Sequence, residues 1–266
     1  MLSPTLLLLL AISFPLSLCG RYDDRYAFSL STFNPEGRLL QVEYAAKSAS
    51  NAAPTVGYIT DDGDGDNDED DCTVCMECPI ETPSPGLRPT FPRVFKLTSK
   101  SIASSSGMSS DFSYVMDEVS KEAMTWRAEY CEEMPLNVLV FEVAKVMQGC
   151  TMRPGVRPLA LAVLVGGLDS ENRPRLFQIN SAGDVTEGRE FVVGESNFGP
   201  DELREAVERD KVLDLLKVAM AKRADRLENS GYDKGAFEHA VKARIGARSG
   251  FTHVVRPVDN QNENNG

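Results

Sequence analysis

Histidine is scarce in this chain of 266 residues, and its two copies, His239 and His253, both lie in the last 30 residues. Neither stands near a serine or cysteine in a nucleophile motif, so the sequence disfavours a histidine-assisted serine or cysteine hydrolase. The simpler interpretation of both histidines is packing in the core or at the surface. The chain also lacks a self-similar period of about 20 to 50 residues, so solenoid and propeller repeats are not expected.

Positive charge is in deficit, with 28 lysines and arginines against 40 aspartates and glutamates, and the net charge is −12 at pH 7. This charge would repel phosphates, so we expect no nucleic-acid partner. The deficit is local, because the run DDGDGDNDEDD at 61–71 holds eight of the acidic residues, and without them the net charge is −4. The acidity therefore characterises one segment and says little about the fold.

An apolar run near the start makes residues 1–20 resemble a secretory signal peptide, with small residues such as Gly20 available for cleavage. The run is too short to span a bilayer and Pro15 interrupts it, so we expect no membrane partner. No lysine or arginine precedes it, which leaves open an alternative start in front of a cytosolic protein. A secretory or organellar location therefore stays an alternative to a cytosolic one.

Apolar periodicity predicts helices and strands in an order that favours an α+β domain. Strands stand on both sides of a helix pair, and a further helix set follows. This order is typical of two packed sheets with helices on each outer side. The predicted helices begin with a short one after residue 38 and continue with 110–131, 135–149, 200–209, 211–228 and 234–245. The predicted strands are 54–60, a hairpin at 93–106, 158–167, a hairpin at 175–194 and 251–257.

The segment 61–92 follows neither period. After the acidic run it reads CTVCMECPIETPSPGLRPTFP, with five prolines between Pro79 and Pro92. We expect an exposed, poorly ordered insertion here. The predicted organisation is thus a domain at 21–258 that contains this insertion, with a polar tail at 259–266.

Three cysteines in the insertion, Cys72, Cys75 and Cys78, have the spacing C-x₂-C-x₂-C, which could bind one side of a zinc ion. A fourth ligand is missing, because no paired C-x-x-C lies elsewhere in the chain. The acidic run also lacks the glycine and the closing glutamate of a calcium loop. A solvated insertion is the simpler interpretation, and we expect no metal and no cofactor.

The stretch FNPEGRLLQVEYA at 33–45 combines a turn with a helix start. Pro35 presets φ and Gly37 accepts a positive φ, so NPEG is typical of a tight turn. Leu39 and Val42 then follow at helical spacing. Glu43 stands four residues before Lys47, which would be a favourable pair on that helix.

The longer stretch RYAFSLSTFNPEGRLLQVEYA resembles the N-terminal signature of alpha-type subunits of the proteasome core particle, most closely the alpha type-2 branch. The stretches APTVGYI, RPGVRPLALAVLVGG and RPRLFQINSAGDV are similar to later parts of that family and follow in the same order. The resemblance spans 21–60 and 93–255 and fails in 61–92. In the family this region holds the second strand of a sheet, and here either CTVCMEC supplies that strand imperfectly or the strand is lost. The resemblance implies the four-layer αββα sandwich of N-terminal-nucleophile hydrolases.

The resemblance also implies a function: a non-catalytic structural and gating subunit of the alpha ring, supporting ubiquitin-dependent and -independent protein degradation in the cytoplasm and nucleus. Its partners would be other alpha and beta subunits in stacked seven-membered rings. In the family the turn and short helix lie across the groove where beta subunits keep their active site. By this resemblance the gate and ring-interface residues are Tyr26, Pro35, Gly37, Arg38, Gln41, Glu43 and Tyr44.

Lys96 matches the family lysine that lines a pocket for the C-terminus of an activator, and a carboxylate is a suitable partner for it. The segment 96–107 is about three residues shorter than in the family, so an exposed hairpin lysine is the alternative. Ala27 stands where the family often has aspartate.

Catalytic members of this fold use a threonine at a mature N-terminus together with a lysine. No threonine follows a glycine in this chain, and Thr55 is preceded by Pro54. No lysine lies between Thr55 and Arg93. We therefore expect no enzyme. The alternatives are a secreted or organellar relative that acts as a binding module, and a beta-like threonine hydrolase.

Overall fold

The computed structural model describes residues 29, 32–62, 71–82, 92–229, 236–247 and 249–257. The signal-like segment at 1–20, Tyr26, Ala27 and the polar tail at 259–266 lie outside the described residues, so the predictions on them stay predictions. Within the described ranges, no helix has both the length and the apolar character needed to cross a bilayer.

Two antiparallel sheets of five strands each form the centre of the fold. Sheet A has the order β10-β9-β2-β1-β8 and sheet B the order β3-β4-β5-β6-β7. The strands of sheet A are β1 (Thr55–Asp62), β2 (Asp71–Thr82), β8 (Glu190–Val193), β9 (Ala236–Gly246) and β10 (Gly250–Pro257). Those of sheet B are β3 (Val94–Thr98), β4 (Ser101–Gly107), β5 (Leu161–Leu168), β6 (Pro174–Ile179) and β7 (Val185–Gly188).

Helices cover the outer faces of both sheets, and three apolar cores fill the spaces between layers. Residues such as Val119 and Leu139 pack one helix pair on sheet B, while Leu203 and Leu216 pack another on sheet A. This four-layer αββα sandwich confirms the fold that the sequence predicts. The helices are α1 (Leu40–Ser50), α2 (Ser109–Tyr130), α3 (Leu136–Met152), α4 (Pro200–Glu208) and α5 (Val212–Asn229).

The prediction of an exposed insertion at 61–92 is wrong for its middle, because β2 lies in the centre of sheet A between β1 and β9. Val74 and Met76 face sheet B, whereas Cys75 faces the layer of α4 and α5. This alternation is typical of a strand buried on both faces. The acidic and proline-rich neighbours of CTVCMEC obscured it. Residues 63–70 and 83–91 lie outside the described residues.

The predicted helix at 234–245 is also wrong, because Ala236–Gly246 forms strand β9. Val241, Ala243 and Ile245 are buried at a period of two, and this alternation outweighs the helix propensity of the alanines. The hairpin of β6 and β7 is confirmed, but the chain then crosses at Arg189 into sheet A, where β8 pairs with β1.

The buried position of β2 can be tested at Gly166 of β5. A Cβ atom there would lie 2.5 Å from Cγ1 of Val74 and 3.1 Å from Cε of Met76, both on β2. Gly166→Ala should therefore lower the free energy of unfolding by about 1–3 kcal/mol, measured by denaturant titration. Gly149→Ala in α3 is the matched control, because that site has room, and it should raise stability by about 0.5–1 kcal/mol. Equal effects of the two substitutions would contradict the packing of β2.

Candidate functional site

The turn before α1 is closed by the side chain of Asn34, which is buried. Its Oδ1 accepts hydrogen bonds from the amides of Glu36 at 3.1 Å and Arg38 at 2.8 Å. The amide of Gly37 donates to the Asn34 carbonyl at 2.9 Å, and Gly37 has φ +77°. The predicted NPEG turn is thus present, and asparagine is the turn residue whose role the sequence reasoning missed, although the preference of asparagine for such turns was a usable signal.

Helix α1 contacts the body of the domain through small side chains. Ala45 and Ala49 are its buried residues, while Tyr44 is 54% exposed. Glu43 binds the guanidinium of Arg38 in a two-pronged ion pair, which takes the place of the predicted pair with Lys47. This hydrogen bond from Arg38 lowers the pKa of Glu43.

The larger apolar residues of this region are less buried than these alanines. Leu39, Leu40 and Val42 are half-buried, and Phe33 before the turn is 61% exposed. Gln41 is also half-buried. The helix therefore buries its alanines fully against the domain, while its larger apolar side chains Leu40 and Val42 are only partly covered.

Thr55 begins β1 at the same end of the sandwich and is fully buried between the two sheets. Its hydroxyl donates to the carbonyl of Ser105 at 3.0 Å and accepts from Nη2 of Arg93 at 3.2 Å. Its backbone nitrogen is part of the peptide bond to Pro54. A buried hydroxyl that already donates to a carbonyl, without a free amine beside it, is not an activated nucleophile.

Arg93 and the serines of β4 complete this buried polar cluster, and the sequence reasoning missed them. No lysine lies between Thr55 and Arg93, and the cationic partner of the Thr55 hydroxyl is Arg93 itself. Ser104 donates to the carbonyl of Arg93 at 2.7 Å, and Ser106 donates to the carbonyl of Ala53 at 2.8 Å. The usable signal was the run SSSG itself, because buried serines need hydrogen-bond partners and occur where carbonyl groups converge.

Cys78 lies in the same cluster and is buried. Burial raises the pKa of its thiol, although the Arg93 guanidinium and the Ser104 hydroxyl oppose this effect. The thiol therefore stays protonated near neutral pH and does not supply a nucleophile in place of threonine.

The zinc hypothesis for Cys72, Cys75 and Cys78 does not fit the structure. Cys75 faces α4 and α5, whereas Cys78 faces sheet B, so the two thiols lie on opposite faces of β2 and cannot bind one ion. The thiol of Cys72 lies outside the described residues. Across the described ranges, no group of three potential ligands is placed to hold a metal ion.

Lys96 lies on β3, the edge strand of sheet B, and is exposed. Its ammonium is 5.1 Å from the ring centroid of Phe251, which belongs to β10 at the edge of sheet A. This cation–π contact stabilises the lysine at the open side of the sandwich without burying its charge.

A second buried polar group ties the strands of sheet A together, on the face that α4 and α5 cover. The Tyr58 hydroxyl donates to Oε1 of Glu77 at 2.5 Å, and the ammonium of Lys242 lies 2.9 Å from the same oxygen. Burial and the neighbouring Glu77 raise the pKa of Tyr58 well above its usual value. These contacts link β1, β2 and β9 and do not reach the cluster around Thr55.

Comparison with known families gives two matches. The sequence profile of the family "Proteasome subunit" matches residues 70–234, and the profile of the N-terminal signature of alpha-type proteasome subunits matches residues 26–47. The first match begins at residue 70, so the expectation that the resemblance fails throughout 61–92 is wrong for β2. The second match covers the NPEG turn and most of α1.

Curated proteins give the same family. The chain is 30% identical over 236 residues to the alpha type-2 proteasome subunit of Drosophila melanogaster, covering 84% of this chain and 95% of that protein. It is 29% identical over 239 residues to the alpha type-2 proteasome subunit of Caenorhabditis elegans, covering 88% and 95%. It is 26% identical over 213 residues to the alpha proteasome subunit of Methanocaldococcus jannaschii, covering 78% of each chain. The chain belongs to the proteasome subunit family and is of its alpha type.

Proposed function

We propose that the chain is a non-catalytic structural and gating subunit of a proteasome alpha ring, which supports protein degradation by the assembled particle in the cytoplasm and nucleus. One observation carries the proposal: helix α1 docks at the strand end where Thr55 lies, and the polar groups there bind the chain itself. A hydrolase would keep this groove open for substrate, whereas here α1 and the hydrogen bonds around Thr55 occupy it.

The absence of catalysis is supported by the chemistry around Thr55. A threonine hydrolase needs a free α-amine beside the hydroxyl, and Pro54 occupies that position. The cation next to the hydroxyl is the guanidinium of Arg93, which has hydrogen-bond donors and no acceptor, so it cannot serve as the base that takes the proton of that hydroxyl. Neither group can therefore activate Thr55.

Assembly with other subunits is supported by the apolar surface of the isolated chain. α1 exposes Tyr44, and an open groove of about 630 Å³ lies beside it, lined in part by Tyr44 and Met108. Large side chains are also exposed on the two helices that cover sheet B. These are Tyr114, Met124 and Tyr130 on α2, and Phe141 and Met152 on α3. Such extended apolar surface is typical of proteins that function in a larger assembly.

The proposed partners are other alpha and beta subunits in stacked seven-membered rings. The turn and helix residues Pro35, Gly37, Arg38, Gln41, Glu43 and Tyr44, together with Tyr26, are proposed to serve the gate and the ring interface. The ion pair of Arg38 with Glu43 supports this role, because it stiffens the connection between the turn and α1. Lys96 is proposed to anchor the C-terminal carboxylate of an activator.

Assembly can be tested with the tagged full-length chain. We expect it to migrate with other alpha and beta subunits on native gels, identified by mass spectrometry. Tyr44→Asp should reduce this co-migration, because a charge would enter the interface, while the melting temperature of the isolated chain should stay unchanged at this exposed site. Recovery of the unsubstituted chain as a lone monomer would overturn the proposed function.

The lack of catalysis predicts no covalent labelling of this chain by a peptide epoxyketone, which reacts with the hydroxyl and the free amine of an N-terminal threonine. In purified particles, the label should appear on other subunits, which serve as the internal control. Labelled Thr55 in peptide mapping would show that the chain is catalytic.

The role of Lys96 predicts that Lys96→Ala weakens binding of a peptide with a free C-terminal carboxylate to the assembled particle by about tenfold, through the loss of one charge-assisted hydrogen bond. The same peptide with an amidated C-terminus should bind weakly to both forms. Lys100→Ala is the matched control, because Lys100 is an exposed lysine of the same hairpin that binds Asn172. Equal affinity of the Lys96→Ala and unsubstituted particles would exclude this anchor.

A further inference from the structure

Residues 51–53 lie between α1 and β1, and the backbone carbonyl group of each accepts a hydrogen bond from a different part of the fold. We call residues 51–53 the link. The donors belong to α5, to the segment after β8 and to β4, so elements from three of the four layers converge on it. They are the Arg223 guanidinium for the carbonyl of Asn51, the Glu195 amide for Ala52 at 2.8 Å and the Ser106 hydroxyl for Ala53 at 2.8 Å.

Ser106, the donor on β4, also contacts α1 itself. The hydroxyl of Ser106 also lies 3.3 Å from the carbonyl of Ala49, in the last turn of α1. Arg93 supports it, because its Nη2 lies 3.5 Å from the Ala53 carbonyl and 3.2 Å from the hydroxyl of Thr55. Ser106 thus holds the end of α1, Arg93 holds the start of β1, and both bind the Ala53 carbonyl between them.

The donors are themselves fixed. Arg223 is largely buried and binds the carboxylate of Glu195 at 3.0 Å, and Arg226 binds the same carboxylate at 2.6 Å. At Gly194, a Cβ atom would lie 2.3 Å from the Ser106 hydroxyl and 2.8 Å from the Ala53 carbonyl, so no side chain fits between them. The donors are therefore held in place by contacts of their own.

The fully buried side chains of α1 are small. α1 buries two alanines, and its first turn has no side-chain cap. Alanine burial contributes little apolar area compared with the leucines and valines that hold the other helices. The hydrogen bonds of the link therefore act together with the half-buried side chains of Leu40, Gln41 and Val42 to hold α1 on the domain.

From these contacts we infer that Ser106, Arg93 and Arg223 are positioning residues that clamp the link and so set the position of α1 on the domain. The polar side chains between the sheets bind the chain's own backbone where a hydrolase would bind substrate. The consequence for the ring opening, though not the clamp itself, rests on the proposed function.

Hydrogen exchange with mass spectrometry on the isolated full-length chain tests the clamp. Ser106→Ala should raise the exchange of amides in residues 40–53 about tenfold, because the Ala53 carbonyl loses its closest hydrogen-bond donor and the last turn of α1 loses its contact with β4. Exchange in α2 and α3 should stay unchanged. Ser101→Ala is the matched control, since Ser101 lies at the other end of β4, is also buried and binds the side chain of Thr98. It should leave exchange in 40–53 unchanged.

A second pair of variants separates positioning from a general loss of stability. Arg93→Met removes the guanidinium donors and should accelerate exchange in 40–53. Arg93→Lys keeps a cationic donor group and should show most of the protection of the unsubstituted chain. Unchanged exchange in 40–53 for Ser106→Ala and Arg93→Met would overturn the clamp. Equal acceleration in α1, α2 and α3 would overturn it as well, because it would show global destabilisation.

The assembled particle separates the clamp from the proposed function. With Ser106→Ala, we expect faster hydrolysis of short peptides by the particle, because a loosened α1 no longer fixes the N-terminal segment at the ring opening. Local exchange that rises without a change in hydrolysis would support the clamp and contradict the gating function of this subunit. The experiment therefore distinguishes failure of the clamp from failure of the proposed gating function.

Discussion

The burial of Thr55 between the two sheets is the constraint on which the function of this chain depends. Its hydroxyl donates to the Ser105 carbonyl and its backbone nitrogen is bound to Pro54. Both groups that a threonine hydrolase would need are thus part of the internal structure. The N-terminal helix α1 lies at this end of the sandwich, and the polar groups there bind the chain itself, which is the arrangement that the proposed non-catalytic role requires.

The burial of Thr55 follows from the close packing of sheet A on sheet B. β2 lies at the centre of sheet A, and its Val74 and Met76 pack so closely on sheet B that Gly166 has no space for a side chain. The close approach of the sheets brings the start of β1 and the end of β4 together. The carbonyl groups of the link then meet the hydroxyl of Ser106 and the guanidinium of Arg93. The position of α1 is therefore determined by the packing of the sheets.

Much of the fold could be predicted from the sequence, because long apolar periods identify α2, α3 and β5, and the signature at 25–45 identifies α1. The alternation in β2 and β9 was missed. In β2, acidic and proline-rich neighbours concealed a short buried strand, and in β9, alanines and alternating charges also fit a helix. The cluster around Thr55 could not be predicted, since Arg93, Ser106 and Ala53 lie far apart in the chain and meet only when both sheets have formed. Sequence identified Thr55 as a candidate, but only the structure shows that its hydroxyl is occupied.

Peptide mapping of the chain purified from its assembled particle tests this account most directly. Cleavage by trypsin after Lys47 and after Arg93 releases one peptide that contains Pro54 and Thr55, because Arg88 is followed by a proline and resists cleavage. The account predicts that this peptide is recovered intact from the mature protein, with the bond between Pro54 and Thr55 present. A mature chain that begins at Thr55, with a free threonine amine, would contradict it.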